Sequence, residues 1–460
     1  MSVSTMQDSV RIGRLMRPTG RQELRNRELV LLLVSFAISL AAILIVQSAV
    51  LGQLEFGMLG IFAALGVLVL IFHVVLRFTA PQADAVIVPI ATLLNGLGIA
   101  EIYRIDLASD TVGWDALSVK QCAWTALALI VSMALILVVR HHRVLQRYTY
   151  TSGLLAVILL FLPAVPGLGI EVNGARVWIQ VAGLTFQPGE VAKIALAVFF
   201  AGYLVQHRDS LSMVGRQFIG MRLPRGRDLG PILSVWVLSM AVIVLQRDLG
   251  TGLLYFGLFL VMLYAATGRA SWVGLGVGLF VAGALAANFA LGYVNDRFAN
   301  WYDAFNPERY DEVGGSFQLV QGLFGLAHGG VLGTGLGQGL PYITPVSQSD
   351  YIVASLGEEL GLAGLFAILS LYLIMTTRGL RIGYVASDEF SKLLATGLSF
   401  VIALQCFIVI GGVTRVIPLT GLTTPFLAAG GSSLVANWMI VALLLRLSDS
   451  ARSRTRLVVE

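Results

Sequence analysis

An all-α polytopic membrane protein of about twelve transmembrane helices is the fold this sequence predicts, and three observations predict it. The 460 residues are 57% hydrophobic and only 12% charged, with a mean hydropathy of +0.83; soluble domains carry roughly 25% charged residues. The apolar runs last about 17–25 residues, the length a helix needs to cross a hydrocarbon layer about 30 Å thick, whereas barrel strands would alternate over about ten. With the N-terminus placed in the cytoplasm, 23 of the 31 basic residues fall in inner segments, as the positive-inside bias requires. Water-soluble classes are therefore excluded. The excess of 28 Arg over 3 Lys is a topology signal and not a nucleic-acid footprint.

The elements follow in order. Residues 1–28 are polar and Arg-rich and read as an uncleaved, disordered cytoplasmic tail, because the first apolar run is too long for a signal-peptide core. Such a tail suits anionic membrane lipids as well as topology. Spans are expected at roughly 29–50, 58–77, 85–101, 119–139, 150–168, 190–206, 229–245, 250–267, 272–293, 352–376, 392–411 and 425–446. The span 85–101 is the weakest, being short and holding Pro89 and Asn95. Only "QRDLG" separates 229–245 from 250–267, which allows a hairpin with a tight outer turn or one broken region. Two N-terminal spans (29–84) thus precede a core (85–447), and 448–460 forms a second cytoplasmic tail. Cys122 and Cys406 fall inside spans, which disfavours a disulfide or a metal cluster.

An even span count places both termini inside the cytoplasmic membrane's inner face and the polar segment 294–351 outside. That long loop carries only Arg297 and Arg309 as cations. A chain mostly buried in lipid that keeps acids, amides, aromatics and glycines in one loop is expected to do its chemistry there. Its acids include Asp303, Glu308, Asp311, Glu312 and Asp350. Gly314 and Gly315 allow a sharp turn beside Asp311. "GTGLGQGLP" follows no strand and matches no phosphate-binding pattern, so it reads as a flexible or tightly packed external loop. Glu358 and Glu359 lie about two turns beyond Asp350, inside the membrane.

Other polar groups gather at the same face. Glu190 and Lys193 are three apart on one helical face, in the first turns of a span. They read either as an ion pair at the span mouth or as a cavity wall whose cation faces an anionic substrate. Asp248 opens a span, where an acid is an ordinary helix cap. Small residues Gly430–Ser433 read as close helix packing. Inner-half acids are nearly absent.

The ordered set "NGARVWI", "FQPGEVAK", "QRDLGTG", "GGSFQLVQGLFGLAHGGVLGTGLGQG", "SDYIVASLGEELG" and "RVIPLTGLTTPFLAAGGSS" resembles the SEDS family, the FtsW/RodA/SpoVE proteins, from about residue 85 to 446. The two extra N-terminal spans and the short C-tail look most like actinobacterial RodA members. The chain departs from the family pattern at Arg247 (usually Pro), Gly189 (usually Ser) and Ala428–Ala429 (usually Ser-Tyr).

The resemblance implies a peptidoglycan glycosyltransferase for cell elongation and shape. It would polymerise lipid II at the outer membrane face by inverting transfer, with undecaprenyl diphosphate leaving. A division enzyme of the FtsW type and a lipid II flippase are the alternatives; the scarcity of inner-half acids favours an enzyme. The family's essential acid stands seven residues before the Gln of a Gly-aromatic-Gln element, here Gln318, which gives Asp311. Arg176 and Lys193 are the implied diphosphate partners. Glu190, Asp248, Asp350 and Glu358 would orient those cations and shape the cavity, and Trp178 and Tyr310 would stack on sugar or lipid. The expected partners are lipid II, a lipid-linked glycan, membrane lipids and a class B penicillin-binding protein. No cofactor is required by the residues, and a divalent Mg or Mn ion is left open.

Overall fold

A computed structural model describes residues 20–172, 174–181, 184–212, 217–218, 221–222 and 230–457. The tail as far as residue 19, with Arg11, Arg14 and Arg17, lies outside the described residues, as do Arg216, Arg225 and Arg227 and the last three residues.

Each of the twelve predicted spans overlaps a helix of a single bundle. These are α1 (Arg21–Val50), α2 (Phe56–Thr79), α3 (Ile87–Ala108), α4 (Leu117–Val138), α5 (Thr149–Phe161), α6 (Pro188–Ser212), α7 (Gly230–Gln246), α8 (Leu249–Thr267) and α9 (Ala270–Ala290), and then, after the polar segment, three more. Nine helices among the described residues are long and apolar enough to cross a membrane. The helix α3 falls short of that standard because its last two turns hold Glu101, Arg104 and Asp106. It is nonetheless buried along nearly its whole length, so neighbouring helices and not lipid surround those charges. "QRDLG" is a hairpin turn between α7 and α8: Arg247 takes a left-handed backbone (φ 56) and Asp248 caps α8 by accepting from Thr251 N at 2.9 Å.

The polar segment is more ordered than a loop. It folds as α10 (Gly292–Tyr302), α11 (Pro307–Asp311) and α12 (Phe317–Gly329). Apolar residues of α12 recur at helical spacing: Leu319 and Val320 pack on Ala304 and Tyr310, while Gly325, Leu326 and Gly329 set this half-length helix against α13 (Ile352–Val385) at Gly357 and Glu358. The bundle closes with α14 (Glu389–Val413) and α15 (Gly431–Leu457). Between α5 and α6 a three-stranded antiparallel sheet, β1 (Gly169–Val172), β2 (Ala175–Val181) and β3 (Leu184–Phe186), runs in the order β1-β2-β3. A two-stranded turn pairs Gln217–Phe218 with Met221–Arg222.

The ends expected as solvated tails are partly helix. Arg25 and Glu28, placed in the N-terminal tail by composition, are buried. Glu28 pairs with Arg25 and with His73 Nδ1 (2.7 Å), and Arg25 also donates to the Ala83 carbonyl. Likewise α15 runs on to Leu457 through residues expected as tail. Arg452 donates to Asp84 Oδ2 at 2.6 Å, and Asp449 Oδ1 accepts from Gln82 N at 2.8 Å. Arg446 reaches the Thr79 carbonyl at 2.6 Å and the Ile136 carbonyl. The cause is the set of carbonyls left unpaired where helices end; arginines of adjacent helices satisfy them and join the two extra spans to the rest of the bundle.

One backbone break shapes the opposite end. At Gly361 the backbone of α13 takes φ 68, ψ −174, a conformation almost confined to glycine. The break frees the carbonyls of Glu358 and Glu359 and the amides of Leu362 and Ala363. The glycine-rich loop takes all four: Thr334 N donates to Glu358 O (3.0 Å), Gly335 N to Glu359 O (2.9 Å), Leu362 N to Gly330 O (3.0 Å) and Ala363 N to Val331 O (3.0 Å). "GTGLGQG" is therefore tightly packed and not flexible. A Cβ at Gly361 would meet the backbone of Gly333 and Leu332. Gly361→Ala is expected to cost at least the ~1–3 kcal/mol of the backbone strain, read as a lowered midpoint of thermal unfolding in detergent.

Candidate active site

The polar face is assembled from four places in the chain. The N-terminal turns of α6 bring Glu190 and Lys193, both almost fully buried. Lys193 Nζ donates to Glu190, to Gln405 Oε1 of α14 (2.9 Å) and to Asn437 Oδ1 of α15 (3.4 Å). An ammonium has three donors, so none remains for a phosphate. Of the two readings open from sequence, an ion pair at the span mouth or a cavity-wall cation, the structure shows the ion pair, and Lys193 joins three helices through it. Gln405 Nε2 extends the network to the Thr423 carbonyl (2.9 Å).

Asp248 is the second contribution. Burial raises its pKa; bonds from the Thr251 hydroxyl and amide and the charge of Arg297 oppose that rise, while Glu190 adds to it. Asp350, just ahead of α13, is similar: burial raises its pKa, the Ser349 hydroxyl (2.9 Å) and Arg297 oppose the rise, and Asp248 adds to it. Arg297 of α10 thus acts on both acids through its charge, and its Nη1 donates to the Leu419 carbonyl at 3.1 Å. Sequence reasoning counted Arg297 but gave it no role. The available signal was its scarcity, as one of two cations in the polar segment. Gln405 and Asn437 were missed too, although amides inside spans are such a signal.

Asp311 ends α11 on the exposed surface, and among the described residues its carboxylate makes no hydrogen bond or ion pair. Its place is nevertheless fixed. Gly314 (φ 81) turns the chain, Ser316 N donates back to Arg309 O (3.0 Å), and the Ser316 hydroxyl donates to Ala304 O (2.6 Å). Tyr310 meets Phe317 edge-on at 5.1 Å and accepts from Gln321 (2.7 Å). Gln318 donates to the Pro345 carbonyl at 2.7 Å, tying this turn to the approach to Asp350.

The other expected residues are engaged elsewhere. Arg176 lies on the exposed sheet with its Nε 3.6 Å from Glu171, which Arg247 also approaches at 4.0 Å. Trp178, opposite Ile170 in the sheet register, is half-buried. The carboxylate of Glu358 accepts from Leu340 N (3.0 Å) and meets His328 Nδ1 (2.9 Å), so it holds the loop. At the opposite end Glu28 and Asp84 are buried acids after all, but each is taken up in ion pairs. Among the described residues no group of three or more His, Cys, Asp or Glu is arranged to hold a metal ion.

Comparisons with known proteins bear on this arrangement. The family model for the FtsW/RodA/SpoVE group, described as "Cell cycle protein", matches residues 84–453. The chain is 43% identical over 435 residues to the peptidoglycan glycosyltransferase RodA of Mycobacterium tuberculosis, covering 94% of this chain and 92% of the relative. Because that match covers nearly the whole chain, it takes in α1 and α2. Among solved structures, one described as "Structural coordination of polymerization and crosslinking by a peptidoglycan synthase complex" matches with a TM-score of 0.62 at 23% identity, over 80% of this chain and 98% of that one. The rod shape determining protein RodA of Thermus thermophilus matches with a TM-score of 0.56 at 23% identity, over 80% and 96%. At that identity the two structures establish the fold.

Proposed function

The chain belongs to the FtsW/RodA/SpoVE family and is a multi-pass membrane peptidoglycan glycosyltransferase; from that premise we propose that it polymerises lipid II at the outer membrane face with Asp311 as general base. The observation that carries the assignment is the state of Asp311. It is the acid of the expected element, held in place by its glycine turn and left unpaired, while Glu190, Asp248 and Glu358 are spent on pins and caps. In the reaction a hydroxyl oxygen of one glycan bonds to the anomeric carbon of the other. The bond from that carbon to the diphosphate oxygen breaks, and the hydroxyl proton passes to Asp311. One base and one displacement invert the centre. Arg297 has donors beyond its bond to Leu419, and a guanidinium suits a departing diphosphate.

The orientation follows the basic residues: with only Arg297 and Arg309 between 294 and 351, this segment faces outward and the termini inward. A class B penicillin-binding protein is the proposed partner, supported by the peptidoglycan synthase complex among the structural matches. The test is glycan-chain formation from lipid II by the purified protein, alone and with that partner. Ladders support the reading; their absence in both reactions overturns it.

The buried acids set a pH dependence. Asp350 titrates above the ordinary carboxylate range of about 4, because burial outweighs Ser349 and Arg297. Its charged form orients Arg297, so kcat/KM for lipid II is expected to fall on the acid side earlier than a solvent-exposed carboxylate would allow. Asp350→Asn should be slow throughout and lack that limb.

A further inference from the structure

Glu101 of α3 is 1% exposed, and neither of its carboxyl oxygens accepts a hydrogen bond from any donor among the described residues. It stands one turn before Arg104 on the same face of α3, the face from which Arg104 Nε reaches Glu359, so the two carboxyls are neighbours. Glu359 accepts from three donors: Arg104 Nε (3.2 Å), Gly337 N (2.8 Å) and Gly339 N (3.3 Å), which leaves one of its roughly four acceptor sites. Arg104 also donates to the Gly339 carbonyl at 2.8 Å.

The cation near Glu101 is Arg104, whose hydrogen bonds go to other acceptors. On its own helix Arg104 is committed to Glu359. From α13 come Glu358 and Glu359, both acids, and from α12 His328, which meets Glu358. On the α1 side Gln47 meets Tyr103, whose hydroxyl donates to Glu55 at 2.7 Å. From α4 the exposed Lys120 is bonded to the Asp115 carbonyl. The adjoining turn Pro341–Ile343 offers only the exposed Tyr342, and Arg446 of α15 is bound to carbonyls at the far end.

A buried carboxylate with no donor, beside an arginine already bonded to another acid, is costly, whereas a carboxylic acid can donate its O–H to a neighbouring carboxylate. We propose that Glu101 and Glu359 hold one proton between them and, as a positioning pair, fix the glycine-rich loop onto the break in α13. With that proton in place Glu359 turns its lone pairs to Gly337 and Gly339. The loop then leads directly into Pro345, which receives Gln318 from the Asp311 turn, and into Gln348, whose carbonyl receives Ala429 N at 2.8 Å. The pair thereby sets the spacing between Asp311 and Asp350. Only this last consequence rests on the transferase reading.

Glu101→Gln keeps the shape and a donor; Glu101→Ala keeps neither. Raising the pH strips the shared proton from the wild type, sets two carboxylates face to face beside one arginine, and loosens the loop. Thermal stability and kcat are therefore expected to fall as pH rises past that point. Glu101→Gln should match the wild type at neutral pH and lose the alkaline fall. Glu101→Ala should be slower by about ten- to a hundredfold in kcat, with little change in KM. Infrared spectra should show a protonated-carboxyl carbonyl band in the wild type that is missing from Glu101→Gln. An alkaline fall unchanged in Glu101→Gln, a Gln variant as impaired as the Ala variant, or an unchanged band would each overturn the proposal. The infrared and unfolding measurements need no turnover, so failure here is separable from failure of the transferase reading.

Discussion

Asp311→Asn and Asp311→Ala are expected to lower lipid II polymerisation by about 10²–10⁴-fold, the usual contribution of a positioned general base, while thermal unfolding stays within about 0.5 kcal/mol of the wild type. The stability half of the expectation follows from the surroundings: the side chain is exposed and bonded to nothing among the described residues. The activity half follows from chemistry. Asn reproduces the shape and can accept a hydrogen bond, but it cannot take a proton at neutral pH. Glu312 is the internal control, being the adjacent exposed carboxylate; Glu312→Gln should change the rate by no more than a few-fold. Glycan ladders of equal length and yield from wild type and both Asp311 variants would remove Asp311 from the reaction and move the search to Asp350.

The helices were legible because a membrane demands long apolar runs, and the twelve runs needed no knowledge of their neighbours. Legibility failed where the decisive partner is remote in sequence. Arg25 and Glu28 look like tail charges until His73 and the Ala83 carbonyl close around them. The acceptor of Arg297 is a carbonyl 122 residues away, which no spacing rule can anticipate. The glycine-rich loop shows the same limit. Its composition admitted either slack or tight packing, and the choice was made by Gly361, whose break supplies four backbone groups for the loop to bind. Asp311 was found through the family resemblance; composition offered several acids with equal claims.

Lys193→Ala is expected to destabilise the protein by about 3–5 kcal/mol, the loss typical when one partner of a buried ion pair is removed. Glu190 would be left charged and buried, and Gln405 and Asn437 would lose the donor that joins α6 to α14 and α15. Activity would fall with the fold, so the single variant cannot tell a pin from a diphosphate ligand. The double variant Glu190→Gln/Lys193→Gln can. It removes both charges and keeps an amide donor at each position, and neutral replacement of a buried ion pair is often tolerated. Since all three ammonium donors are already used inside the protein, the double variant should regain most of the unfolding midpoint and most of the polymerisation rate. A double variant that refolds to wild-type stability yet forms no glycan would mean that the ammonium leaves its cage during the reaction to meet the diphosphate. In that event Glu190, Gln405 and Asn437 would be the groups that hold it in reserve.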